Sequence, residues 1–341
     1  MDVSQQALLK IAEQASTLSE RLGNCFVLDE AEDNNKLTMS RLKAWCQVVA
    51  QSNPEKLAKR LVWDGLDSGT IVKVLGAVRL VNDQELPVWT ETLREALQTD
   101  WDTAYASTNR CLETEKPIPF EEVYLPFVYI AQQKLIAQLG ASWQLLSEAV
   151  HISLERQLLL KLAFLGVRSL ELEFSKFKAQ KQSTAISLTQ EQGEHSNVQY
   201  QTFIEDLKAE GLLSFFQKYS VLARLVVTTI DFWVEEKAEF IQRLALDLPT
   251  IQQTFPEKTN HVVEIQGNLS DPHNRGRSVM ALTFESGLKL IYKPRSLTLE
   301  AKYFQLLAWC NQQEALLPFK TFKVINCKTH GWMEYVEHLP C

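Results

Sequence analysis

The sequence predicts an α+β chain that is mainly α: a long helical region, then a small antiparallel sheet with one helix. Three observations predict it. Apolar residues recur at helical spacing from Ser4 to about Leu246. From Val262 to Lys293 the pattern changes to short apolar runs separated by polar turns, which is how strands read. The composition, 45% hydrophobic and 23% charged over 341 residues, is enough to build a core.

Residues Ser4 to about Leu22 read as the first helix, stopped by Gly23. Asp29 to Asn35 is an acidic linker, and Ser40 to Ala50 a helix with Leu42, Trp45, Cys46 and Val49 on one face. Asn53 followed by Pro54 is a cap with proline at the first helical position, opening a helix toward Trp63. After a turn at Asp67 to Thr70 another helix is expected to run to about Leu80, and Pro87 opens the next. Lys116-Pro117-Ile118-Pro119 is a stiff, extended link. Phe120 to Gly140 and Ala141 to about Phe177 read as helices. The stretch Leu158 to Leu165 is apolar nearly all round and so expected to be buried. Lys178 to Val198, rich in Gln, Ser, Lys and Glu, reads as an exposed or disordered loop. Tyr200 to Glu210 is a helix stopped by Gly211; Leu212 to Lys218 and Val221 to Leu246 follow. Asp247-Leu248-Pro249 and Phe255-Pro256 mark the change to strands. The expected divisions are therefore 1–115, 116–258 and 259–341.

The last division organises the rest. Val262, Val263 and Ile265 lead into a loop, Asp271 to Arg277, with three side chains that are cationic or can become so, and one carboxylate. Ser278 to Phe284 is a second strand. Glu285-Ser286-Gly287 is a tight turn. In the third strand Leu288, Leu290 and Tyr292 share one face, and Lys289, Ile291 and Lys293 the other. A helix over Leu297 to Gln312 follows, then strands over Phe319 to Asn326 and Trp332 to Val336. A lysine on the third strand, beneath the loop joining the first two, is the layout protein kinases use to hold ATP phosphates. The order of strands and helix is that of a kinase small lobe, with Glu337 to Pro340 in the place of the hinge. The loop lacks Gly-x-Gly-x-x-Gly, and no Walker motif occurs. A meander that binds nothing, with a solvated edge lysine, is the plainer reading of the same pattern.

A net charge of −7 argues against binding nucleic acid through bulk positive charge. The six cysteines are scattered with no Cys-x-x-Cys pair, so free thiols in a reducing cytoplasm are expected, without zinc. His151, His195, His261 and His330 stand alone and read as structural or surface residues, and Glu235-Glu236 as a solvated helix face. The N-terminus has no signal-peptide pattern, and no apolar run reaches the roughly 18 residues of a membrane span.

Several segments together carry a resemblance: Gly267 to His273, Gly276-Arg277-Ser278-Val279, Tyr292-Lys293-Pro294-Arg295-Ser296-Leu297, Phe304-x-x-Leu307-x-Trp309 and Gly331-Trp332-Met333-Glu334. In the helical part, Pro119-Phe120-Glu121-Glu122, Glu171-x-Glu173-Phe174 and Tyr219 to Leu225 add to it. Over about Pro117 to Leu339 the chain resembles the dehydratase domain of class II lanthipeptide synthetases, the LanM type. The family usually has Pro where this chain has Ser220. The resemblance implies a lipid-kinase-like core decorated by helices. It also implies use of ATP and Mg2+ to phosphorylate Ser and Thr of a ribosomally made precursor peptide, followed by elimination of phosphate to dehydroalanine and dehydrobutyrine.

By the same resemblance, Lys293 contacts phosphate, and Asp271 and His273 match an Asp-x-His implicated in the elimination step. A histidine is a fit general acid or base near neutral pH. Arg275, Arg277 and Arg295 are candidates to hold the leaving phosphate, with loop-to-strand clamping as the other role for Arg277 and Arg295. Glu300 is a candidate partner of Lys293, or else a solvent-facing residue of a first helical turn. Glu334 is placed on the nucleotide side. Lys293 and the Asp271/His273 pair are expected to face one phosphate-sized space. The family's Asp-x-His-x-x-Asn loop, a later metal-binding Asp and the zinc cyclase would lie past Cys341. The chain therefore reads as the N-terminal part of such an enzyme, without the C-lobe and inactive alone. A binding module for leader peptide or nucleotide, completed by a partner chain, is the rival reading.

Overall fold

The computed structural model describes residues 3–29, 33–82, 85–113, 115–184, 194–257, 259, 261–313 and 317–337. It is mainly helical, about 65%, with small antiparallel sheets. Two compact units divide it: Met1–Thr99 with Leu165–Thr228, and Asp100–Phe164 with Thr229–Cys341.

The chain opens with α1 (Gln5–Gln14) and α2 (Leu18–Leu22). They are two helices rather than the one expected, because Thr17 is extended and forms a capping box with Glu20. After β1 (Phe26–Leu28), α3 (Asn34–Ala50) starts earlier than expected, since the Asp33 carboxylate accepts the Lys36 N–H. In α4 (Pro54–Trp63) Asn53 caps the N–H groups of Glu55 and Lys56, as the sequence implied. Helix α5 (Ser68–Leu75) ends at Gly76, short of Leu80. There the Asn34 side chain accepts the Ala77 N–H at 2.7 Å, and Val78–Leu80 pairs with β1 as β2. A Cβ at Gly76 would lie 2.6 Å from Asn34 Oδ1, so glycine permits this approach. Helix α6 (Trp89–Gln98) follows.

Next come α7 (Trp101–Thr108), α8 (Leu125–Leu139) and the long α9 (Glu148–Thr184). Within Leu158 to Leu165 only one side is buried: Leu158, Leu159 and Leu162 are sealed, while Leu160 and Phe164 are exposed. Of the expected loop Lys178 to Val198, residues 178–184 continue α9 and 194–198 begin α10 (Glu194–Asp206). Residues 185–193 lie outside the described residues. Gly211 does not stop the helix. It closes a π turn, Leu207–Gly211, in which a Cβ would meet the Asp206 carbonyl at 2.8 Å, and α11 (Leu212–Lys218) continues from it. Helix α12 (Ser220–Thr254) runs through Pro249 instead of ending before it. Burial of Ile251 and Phe255 beyond the proline offsets the lost hydrogen bond.

In the second unit His151 stacks on Trp143 at 3.5 Å and its Nε2 bonds the Trp143 carbonyl. Desolvation pushes its pKa down to about 4. The unfolded chain therefore binds a proton here that the folded chain refuses. Stability is whole above pH about 6.5 and declines as pH falls toward about 4. Denaturant titrations across that window should show a decline for the native chain that is shallower in His151→Phe. Equal slopes would refute this.

Five strands form the second sheet, in the order β3-β4-β5-β7-β6 and antiparallel throughout. They are β3 (Val262–Gln266), β4 (Met280–Phe284), β5 (Lys289–Lys293), β6 (Val324–Asn326) and β7 (Gly331–Glu334), with α13 (Thr298–Gln312) between β5 and β6. The order is the expected one; residues 319–323 are not strand. Leu290 and Tyr292 are buried while Lys289 is exposed, so the two faces alternate as expected. Tyr292, Trp332 and Phe240 pack ring on ring, tying the sheet to α12.

Candidate functional site

Register places the candidate residues at one end of this sheet. Met280 pairs with Tyr292 and Lys293 with Gly331, so the loop entering β4 and the end of β5 lie at the same edge. The first turn of α13 arrives there too.

Lys293 Nζ lies 3.5 Å from Glu300 Oε1, and Arg295 bonds the same carboxylate at 2.5 and 3.2 Å. Glu300 is therefore not a solvent-facing residue; its side chain is only 17% exposed. Desolvation alone would raise its pKa, but the Arg295 hydrogen bonds and the two nearby cations outweigh it and keep the carboxylate ionised.

The loop before β4 is closed by His273 and Arg277, which exchange both backbone hydrogen bonds at 2.9 and 2.8 Å. Asn274, Arg275 and Gly276 all have positive φ between them; at Gly276, with φ 100°, glycine relieves what a Cβ would strain. Arg277 reaches to α12, where its Nε donates to Glu239 at 2.8 Å and an Nη to Glu235 at 3.1 Å. Arg275 bonds Glu235 at 3.1 Å and stacks on Phe232. The loop is thus clamped to a helix rather than to a strand. Glu239 also pairs with Arg243, whose Nη1 donates to the Tyr292 hydroxyl at 2.8 Å. Asp271 is exposed, and among the described residues its carboxylate makes no hydrogen bond or ion pair.

His273 lines a cavity of about 350 Å3 with Lys161, Trp233, Glu236 and Arg275. Lys293 is not among the residues around it. Tyr292 faces α12, so the next residue, Lys293, points to the other face, where Glu300 holds it. The one shared space expected for Lys293 and the Asp271/His273 pair is accordingly not formed. They share an edge of the sheet and occupy its two sides. Glu334 is not brought to this edge either. It pairs with Leu290, three positions from the Lys293 pairing and roughly 10 Å along the strand, and accepts the Lys323 N–H.

Two clusters were not visible in the sequence. Glu235 and Glu236 are ion-pair partners rather than a solvated face; Glu236 and Lys237 form a buried pair at 2.9 Å. Asp247 and His330, both read as punctuation or isolated, also meet. Asp247 Oδ2 accepts from His330 Nε2 at 2.6 Å, Trp332 Nε1 at 2.8 Å and the Cys327 thiol at 3.4 Å. Desolvation and the Asp247 charge push the Cys327 pKa up to about 11. These three groups are close enough to hold a cation, but as they stand their donors saturate one oxygen. Chain-distant partners of this kind leave no local pattern.

Residues 219–341, which span all of α12 and the whole five-stranded sheet with α13, match the model of a family described as a Domain of unknown function (DUF4135). No curated protein matches the chain. Among the described residues no helix is long and apolar enough to cross a membrane.

Proposed function

We propose that this chain is part of a lanthipeptide synthetase dehydratase. Its small lobe holds the phosphates of ATP with Mg2+ for phosphorylation of Ser and Thr in a precursor peptide, and its Asp271/His273 loop serves the elimination that follows. The observation that carries the reading is the Lys293–Glu300 pair at 3.5 Å. A strand lysine held by a glutamate of the following helix is the arrangement kinases use to fix the phosphate-binding ammonium. The match over residues 219–341 supports it, since that domain is known in lanthipeptide synthetases.

On this reading Lys293 offsets charge on the transferring phosphoryl group, and Glu300 keeps the ammonium in place. Mg2+ bound with ATP would supply further positive charge against the phosphates. His273 is the proton-transfer group of the second step, with Asp271 beside it in sequence and Arg275 and Arg277 as the nearest cations. Arg295 shares Glu300 with Lys293 and so tunes its position. The two chemistries then belong to the two sides of one sheet edge.

The test is incubation of the intact gene product with a precursor peptide, ATP and magnesium, followed by mass spectrometry. Gain of a phosphoryl group and then net loss of water supports the reading. Binding of peptide or ATP with neither change favours the non-catalytic module instead.

A further inference from the structure

We propose that the cavity between α9, α12 and the 271–277 loop is a phosphate-binding subsite, with Lys161 as its principal cation and Trp233 as a second donor. Its walls are Phe232, Trp233 and Pro272, and its polar groups come from Lys161, Glu236, His273 and Arg275.

Three observations lead there. First, the charges around the cavity do not cancel. Glu236 is neutralised by Lys237 at 2.9 Å, and Glu235 is shared by Arg275 and Arg277. Lys161 makes no ion pair among the described residues and is exposed; the Glu236 carboxylate that acts on it is itself bonded to Lys237. Desolvation, followed by the Lys237 ammonium, outweighs the Glu236 charge and holds the Lys161 pKa below the ordinary lysine value, so an added anion beside it would favour its charged form. Second, the indole Nε1 of Trp233 is buried and has no hydrogen-bond partner, although Trp233 is only 5% exposed. Buried donors are nearly always paired, so an orphan beside a cavity marks where an acceptor belongs. Third, the volume, about 350 Å3, exceeds what a phosphate alone requires and leaves room for the carrier of a phosphate ester against the aromatic wall.

An ammonium, an indole N–H and an imidazole are donors of the kind that hold a phosphate oxyanion. The carrier is either free inorganic phosphate or a phosphorylated side chain of a peptide. Only the choice of carrier rests on the function proposed above; binding itself requires no turnover.

The experiment titrates inorganic phosphate, and separately a short peptide containing phosphoserine, into the intact protein by calorimetry. Lys161→Met should weaken both by about ten-fold, the size of one charge-assisted hydrogen bond. Trp233→Phe, which keeps the ring and removes the donor, should weaken them a few-fold. Lys161→Arg should retain binding, and far-UV circular dichroism reports whether each variant folds. A stronger effect for the peptide names the ester as occupant; equal effects name free phosphate. No phosphate binding by the native protein, or undiminished binding by Lys161→Met, overturns the subsite even if the enzyme phosphorylates its peptide. Conversely, phosphate binding without turnover leaves the subsite standing while the catalytic reading fails.

Discussion

On the proposed dehydratase function, Lys293→Ala is expected to lower peptide phosphorylation by roughly 10²–10³-fold, the loss typical when a preorganised charge aimed at a transition state is removed. The fold should survive. The Lys293–Glu300 pair is a single contact at 3.5 Å near the surface, and pairs of that kind contribute at most about 1 kcal/mol. Mass spectrometry of timed reactions gives the rate, and urea unfolding gives the stability. Glu300→Gln should produce a smaller rate loss, because the ammonium remains but is no longer held. Arg295 would lose its bidentate partner in the same variant. Native rates in a folded Lys293→Ala protein would remove the basis for a phosphotransfer role.

Asp247→Ala should be the most destabilising single change at the sheet. Three donors converge on its Oδ2, two of them from His330, 6% exposed, and Trp332, fully buried. Alanine would strand both N–H groups away from water, at a cost of about 3–5 kcal/mol. Asp247→Asn keeps an acceptor oxygen and should cost less. Denaturant midpoints of the two variants against the native chain measure this. A loss below about 1 kcal/mol for alanine would show that water replaces the carboxylate.

The strand region could be read from sequence because each of its signals is local. The alternation in Leu288 to Lys293, the glycine of the tight turn and the polar loop between apolar runs each act within a few residues. Glu300 was legible as a candidate partner of Lys293, since strand end and helix start are close in sequence, but its bonds to Arg295 were not read. What failed was long-range. Pro249 looks like a terminator until the burial of Ile251 is known. Gly211 looks like a stop until the π turn uses its missing Cβ. The three-residue strands β1 and β2 are too short to carry a period, and they form because Phe26 and Leu80 pair across the three intervening helices α3, α4 and α5. The orientation of the Asp271–Arg277 loop was equally hidden. It depends on Glu235 and Glu239, which lie far back in the chain on α12 and look like ordinary surface acids.

A continuous set of contacts links this loop to the lysine strand: Arg277 to Glu239, Glu239 to Arg243, Arg243 to Tyr292. Lys293 is the next residue. Substitutions on one side of the sheet edge should therefore not behave independently of those on the other. A double-mutant cycle between Arg277 and Lys293 would show non-additive free energies although their side chains never touch, and on the proposed function phosphorylation and elimination would share a mechanical linkage while using separate groups.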